Sequence, residues 1–412
     1  MKENSFKEVG AFQHNPLYKQ MIERLSRIYQ KAGDIRSEFG RDYTRILHCP
    51  AYRRLKSKTQ VFYNAAGNDH VCTRIEHVAH VESVAGTIGQ FLGLNTELIK
   101  AIAMAHDLGH APFGHEGERA ISRIMKEKLG KLFWHERHGL RIVDEVELLE
   151  DDYKRGRNLD LTYAVRDGII SHCGEVDEKA IIPRKEAIDL RRDYTRPGEY
   201  PPFTWEGAVV KISDKIAYLG RDIEDALNIG ILNSSKVSAL NELVGLRGHA
   251  INTTVITHNM ILDICENSSP EAGITLSAAS MEALDTIKKF NYENIYHHHR
   301  LKPFVRYAEL VINELFRALC ETYDGKNTFY RIKEEAVFYP ELMGRFGRWL
   351  VKYVSLSPEL IEGAGFKPSN DLNKKVCGNL EDEAVFMQAV LDYIAGMTDR
   401  YAIHAYEELL KY

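Results

Sequence analysis

Fourteen consecutive residues, AHDLGHAPFGHEGE at positions 105–118, carry three histidines and three carboxylates around Gly109, Pro112 and Gly114. A plain core helix tolerates neither that density of polar groups nor a proline in its middle. The stretch must therefore be a helix end, a turn and a new helix start. Upstream, Leu98, Ile99, Ile102, Ala103 and His106 recur at helical spacing, and Gly109 stands where a helix commonly stops. His106 is then the last inward-facing residue of a buried helix. Adjacent helical residues point about 100° apart, so His106 and Asp107 reach one ion together only from a helix terminus. Taken alone, such a pair reads more simply as a core histidine beside a capping carboxylate.

Residues elsewhere in the chain change that reading. In TRIEHVAHVESVAGTIGQFLGL, His77 shares an apolar helical face with Val81, Val84 and Ile88, whereas His80 falls on the polar face with Glu76, Ser83 and Thr87. In WEGAVVKISDKIAYLGRDIEDAL, Asp214 lies on a strip with Val210, Ala217, Tyr218, Arg221 and Asp222. A carboxylate on a buried strip requires a partner. His77, His106, Asp107 and Asp214 form a set of two nitrogen and two oxygen ligands, suited to Mn, Fe, Zn, Ni or Co, with Mg also open. Four protein ligands leave positions on an octahedral ion for water and a phosphate oxygen. His115 and Glu118, three apart, become neighbours on one turn if the helix restarts after Pro112 and Phe113. A carboxylate beside an imidazole fixes its tautomer and raises its basicity, as a general acid requires.

The dominant period is helical and strand-like alternation is scarce, which predicts an all-α protein: a helical core with an N-terminal extension and a helical C-terminal region. Residues 1–58 read as a polar and basic segment with an amphipathic helix over Pro16 to Lys31 and the basic run Arg53, Arg54, Lys56, Lys58. Residues 59–245 read as the core and 246–412 as further helices to which no chemistry attaches. RRDYTRPGEYPP, 191–202, reads as a surface loop. A net charge of −5 gives no global basic field for nucleic acid or an anionic membrane. Six scattered cysteines without a CxxC pair argue against a zinc ribbon or a disulfide framework and for a reducing compartment, the cytoplasm. The N-terminus lacks a signal-peptide pattern, and no run approaches the roughly 18 apolar residues of a membrane span.

The order H...HD...D resembles the HD-domain superfamily of metal-dependent phosphohydrolases. The runs RDYTRILHCPAYRRLKSKTQVF, TRIEHVAHVESVAGTIG, IAMAHDLGHAPFGHEGE, LDLTYAVRDGIISH and VVKISDKIAYLGRDIEDAL, together spanning about residues 41–227, resemble the successive motifs of the deoxyguanosine triphosphate triphosphohydrolase family. The resemblance implies hydrolysis of deoxynucleoside triphosphates at the α-phosphorus, releasing deoxynucleoside and intact triphosphate. It implies His115 as catalytic histidine with Glu118 as partner, and Arg74 and Lys215 as cations on phosphate oxygens, with His110 and His135 as further donors. Tyr218 would contact phosphate, and Gln60 and Asp222 the sugar 3′-hydroxyl. Relatives form homo-oligomers, so a dimer or larger is expected, and a second, activating nucleotide stays open.

Departures from the family pattern are local. Glu136 and His138 stand where many bacterial relatives carry Asn and Gln, and Glu76 and Val78 replace the commoner Thr and Ser around His77. The triplet His297, His298, His299 cannot face one site from a helix and reads as a solvated run. Two further functional classes stay open: another HD phosphohydrolase, acting on nucleoside monophosphates or cyclic nucleotides, and a non-catalytic nucleotide sensor.

Overall fold

A computed structural model describes residues 4–26, 33–62, 71–151, 153–173, 180–244, 252–369, 373 and 376–411. Among these residues the protein is all-α: the strands are four two-residue pieces, paired antiparallel as Leu149–Glu150 with Gly156–Arg157 and Ala180–Ile181 with Ile274–Thr275. No described helix is long and apolar enough to cross a membrane. The chain forms two compact units, Met1–Leu47 with Thr59–Asp107 and Leu161–Pro303, and His48–Lys58 with Leu108–Asp160 and Phe304–Tyr412. They cut across the consecutive segments 1–58, 59–245 and 246–412, whose second boundary lies outside the described residues.

In the first unit, the Arg74–Leu92 helix starts where the Glu76 carboxylate accepts from the Thr73 backbone N–H at 2.7 Å, and it stops at Gly93, whose φ of 79° is left-handed. Asn95 immediately caps the Thr96–Ala105 helix by accepting from the Glu97 and Leu98 N–H groups. So short a connection makes the two helices antiparallel neighbours, and the absence of a side chain at Gly89 admits Ile99, whose Cδ1 would lie 2.0 Å from any Cβ there. Tyr163–Ser171 and Trp205–Asn228 complete the core, burying Val81, Ile88, Ile102, Ile169, Val209 and Ile216. Each such side chain contributes about 1.5–3 kcal/mol over an exposed position.

The N-terminal residues belong to this unit: the Phe6 N–H donates to the Leu92 carbonyl at 2.9 Å, and buried Glu206 accepts from the N–H groups of Ala11 and Asn95. Of the amphipathic helix expected over Pro16 to Lys31, the described residues form only the single turn Tyr18–Met21, and residues 27–31 of that stretch lie outside the described residues. Tertiary bonds displace the rest. The Glu23 carbonyl accepts from the Tyr163 N–H at 2.7 Å, and Arg24 pairs with Glu38 and buried Asp42. The stretch 191–202 is a loop as expected, anchored by the fully buried Tyr194.

The second unit gathers the helices Gly114–Leu129, His135–Arg141, Lys302–Cys320, Thr328–Glu335, Pro340–Leu350, Glu383–Ala395 and Asp399–Leu409. Its interior is rich in aromatic contacts: Phe346 meets Trp349, Phe386 and Tyr393 at ring-centroid distances of 6.2, 5.9 and 5.1 Å.

Candidate functional site

Three helices of the first unit carry the predicted ligands to one place. His77 lies in the first turn of Arg74–Leu92, His106 caps the C-terminus of Thr96–Ala105, Asp107 follows it, and Asp214 lies midway along Trp205–Asn228. His77 Nε2 is 2.9 Å from Asp214 Oδ1 and 3.9 Å from Asp107 Oδ2; His106 Nε2 is 3.4 Å from Asp107 Oδ1 and 3.8 Å from Asp214 Oδ1.

His106 Nδ1 faces the Ala103 carbonyl at 2.7 Å. A carbonyl only accepts, so Nδ1 carries the proton and a neutral ring keeps its lone pair on Nε2. That buried Nε2 has no hydrogen-bond partner, yet two carboxylate oxygens face it. Electron pairs opposed in this way call for a cation, and the donor set of imidazoles and carboxylates fits a divalent metal. Burial works against charging His77, but the bond to Asp214 and the charges of Asp214 and Asp107 outweigh it and push its pKa up. Burial opposes ionisation of Asp214, and His77, His106 and His172 overcome it, holding the carboxyl below its usual range.

The remaining first-unit candidates surround this cluster. Arg74 is buried and already engaged, its Nη1 donating to Asp107 Oδ2 at 2.7 Å and its Nε to the Thr59 carbonyl at 3.1 Å, while Nη2 is unpartnered. Without a metal it neutralises the very carboxylate assigned as a ligand. A bridge between Thr59 and Thr73 brings buried Gln60 beside the start of the same helix, with its Oε1 unpartnered. Lys215 is buried next to Asp214, and Tyr218 is half-buried one turn on. Asp222 accepts from the Tyr296 hydroxyl at 2.5 Å. Burial pushes its pKa up to about 7, against the pull of Tyr296, His77 and Arg74.

The second unit holds a different cluster. The helix does restart after Pro112 and Phe113, spanning Gly114–Leu129. Phe113 adopts a φ of 65°, a strained conformation for a non-glycine residue, and its N–H donates to Asp399 Oδ1 at 2.8 Å. Gly109 is required for close approach, since a Cβ there would lie 2.0 Å from the His135 carbonyl oxygen. Glu118 accepts from the His135 backbone N–H at 2.9 Å and lies 3.1 Å from His135 Nδ1 and 3.5 Å from His115 Nδ1. Burial raises the Glu118 pKa, but His135, His115 and His110 together bring it well below the ordinary value. The His110 ring stacks on His135 at 3.8 Å, and the His115 side chain is 61% exposed, within reach of a bound molecule.

Several contributors escaped the sequence reading. His172, at the end of DGIISH, lies against His106 with ring centroids 4.9 Å apart. Lys58, read as part of a basic run, is buried, its Nζ donating to the carbonyls of His110 and, at 2.9 Å, Ala395. Asp399 and Tyr296 come from stretches to which no chemistry had been assigned. A histidine behind apolar residues and an aspartate at a helix start were the only local signals. Glu136 and His138, the family departures, are both buried; burial brings the His138 pKa down to about 4 despite Asp392 nearby. His297 and His299 are exposed, as a solvated run should be.

Comparison with known proteins agrees with this geometry. Residues 74–219 match the HD domain, and residues 274–332 and 359–408 match the phosphohydrolase-associated domain. A deoxyguanosinetriphosphate triphosphohydrolase-like protein of Caldanaerobacter subterraneus is 32% identical, covering 91% of this chain and 86% of its own. Proteins of the same description from Desulfatibacillum aliphaticivorans and Clostridium tetani are each 33% identical, covering 91% and 76% of this chain and 88% and 82% of their own. HD domains of this kind are metal-dependent phosphohydrolases, which makes the protein a hydrolase. The chain belongs to the deoxyguanosinetriphosphate triphosphohydrolase-like family of HD-domain proteins.

Proposed function

We propose that the protein hydrolyses deoxynucleoside triphosphates, dGTP or several dNTPs, at the α-phosphorus to give deoxynucleoside and inorganic triphosphate. The observation that carries this reading is the His77, His106, Asp107 and Asp214 cluster, in which an unpartnered imidazole nitrogen faces two carboxylates. A divalent ion there would polarise a phosphate oxygen and acidify water. The relatives' description supplies the substrate class.

Water adds to the α-phosphorus, the bond to the 5′-oxygen breaks, and His115 gives that oxygen its proton. Glu118, held as a carboxylate, orients the His115 ring and stabilises its charged form. His110 and His135 serve as further donors to phosphate. Arg74, which donates to Asp107, would turn its guanidinium to phosphate oxygens, and Lys215 and Tyr218 add to the same grip. Gln60 and Asp222 take the 3′-hydroxyl and leave no room for a 2′-hydroxyl. The reaction belongs in the cytoplasm, and the working form is a homo-oligomer.

Incubating the protein with each dNTP and with GTP, in Mn or Mg, and resolving products by anion exchange tests the reading. Deoxynucleoside plus intact triphosphate, with little GTP turnover, is expected. Deoxynucleoside diphosphate or monophosphate as main product overturns the bond assignment, and equal use of GTP and dGTP overturns the sugar assignment.

A further inference from the structure

Two helices of the first unit end in the same way. Thr96–Ala105 is closed by His106 and Tyr163–Ser171 by His172, each histidine in the C-cap position. His106 Nδ1 meets the carbonyl of Ala103 at 2.7 Å, and His172 Nδ1 meets the carbonyl of Ile169 at 2.7 Å, in both cases three residues back. The carbonyl fixes the proton on Nδ1 and makes Nε2 the nitrogen able to bind a cation. His172 is buried, and the two rings meet edge to face at an interplanar angle of 78°. Ligand atoms of His106, His172 and Asp214 all lie within 4.8 Å of one another. Donors on opposite sides of one ion, with bonds of about 2.1 Å, stand roughly 4.2 Å apart, so small side-chain movements suffice for all three to share it.

A histidine kept only to cap its helix would use Nδ1 and could turn its far edge to any apolar neighbour. His172 instead packs that ring against a cluster holding two carboxylates. We propose that His172 is a fifth protein ligand of the metal centre in the nucleotide-free protein. The donor set then has three imidazoles and two carboxylates, which moves its preference from Mg toward Fe, Co, Ni or Zn. Such a donor set would still leave a six-coordinate ion one position for a further ligand. This inference rests on the metal centre of the proposed function but not on its substrate.

The test reads metal binding, with Co²⁺ and Mn²⁺ alone as probes on the full chain. His172→Asn keeps an amide N–H to serve the Ile169 carbonyl and removes Nε2. Expected are a Co²⁺ affinity lower by roughly 10- to 100-fold and a changed visible Co²⁺ spectrum, with the metal-free melting temperature held. In wild-type protein labelled with ¹⁵N-histidine, which needs no variant, Mn²⁺ should couple to three imidazole nitrogens. Coupling to only two, or an unchanged Co²⁺ spectrum in the variant, overturns the assignment of His172 and leaves the proposed function standing. A wild-type protein that binds neither ion overturns both.

Discussion

The two histidine clusters use the same side chains to opposite ends. In the first unit, two carboxylates share a buried space with imidazoles, and among the described residues no donor answers the His106 Nε2 lone pair. In the second, Glu118 is surrounded by three histidines and each of its oxygens meets a donor, while buried Glu136 also lies 3.5 Å from His135 Nδ1. In the first cluster Arg74 answers Asp107 and His77 answers Asp214, while the His106 Nε2 edge still faces carboxylate oxygens. The second ionises the Glu118 carboxylate and leaves His115 in reach of solvent. The two clusters differ in how their carboxylates are met and in exposure.

The sharpest way to break this comparison is to remove a donor from the first cluster. His106→Ala or Asp107→Ala should abolish both metal retention, read by elemental analysis after dialysis, and turnover, because each deletes a ligand that no neighbour replaces. Full activity with unchanged metal content in either variant would show that the cluster is not the metal centre. The equivalent cut in the second cluster should behave differently. His115→Ala should slow turnover by roughly two orders of magnitude or more while metal stays bound. Parallel loss of metal and activity would make His115 a ligand and erase the division of labour.

A smaller effect is expected from the support of the second cluster. Asp399→Ala removes the acceptor of the Phe113 N–H and leaves a strained residue unanchored. A loss of about 1–3 kcal/mol in unfolding free energy follows, with turnover reduced because the helix bearing His115 starts at that turn. Unchanged denaturant unfolding would show that the Phe113 turn is held by packing against neighbours such as Phe304 alone.

How legible each cluster was follows from the range of its contacts. His77, His106 and Asp214 declared themselves through helical period, because one face of a helix is set by residues three and four apart. His115 and Glu118 share one turn, so their pairing was local as well. Asp399 acts on Phe113 and Lys58 on Ala395 across most of the chain, and no periodicity encodes such pairs. His172 stayed hidden because a single histidine after GIIS carries the pattern of an ordinary helix end. The helix expected over Pro16 to Lys31 failed for the converse reason: a correct local pattern lost to the long-range bonds of Glu23 and Arg24.

The smallest net effect in the wild-type protein comes from two pH dependences of opposite sign, one from each unit, best read on metal-free protein. Burial raises the Asp222 pKa from 3.8 to about 7. Between those values the unfolded chain has released the proton and the folded one still holds it, so stability falls as pH rises through that window and levels off above it. Burial lowers the His138 pKa from 6.5 to about 4. There the unfolded chain takes up a proton that the folded one refuses, so stability falls as pH drops from 6.5 toward 4. Upper bounds, at about 1.4 kcal/mol per pKa unit, are roughly 4 kcal/mol for Asp222 and roughly 3 kcal/mol for His138. Because the windows overlap, the wild-type dependence between pH 4 and 6.5 is nearly flat from these two groups. Asp222→Asn should expose the His138 slope, with unfolding free energy rising with pH across that range, and His138→Gln should expose the falling Asp222 slope. Denaturant unfolding at stepped pH reads both, and slopes of the same sign in the two variants would mean that the two groups do not carry these opposed proton affinities.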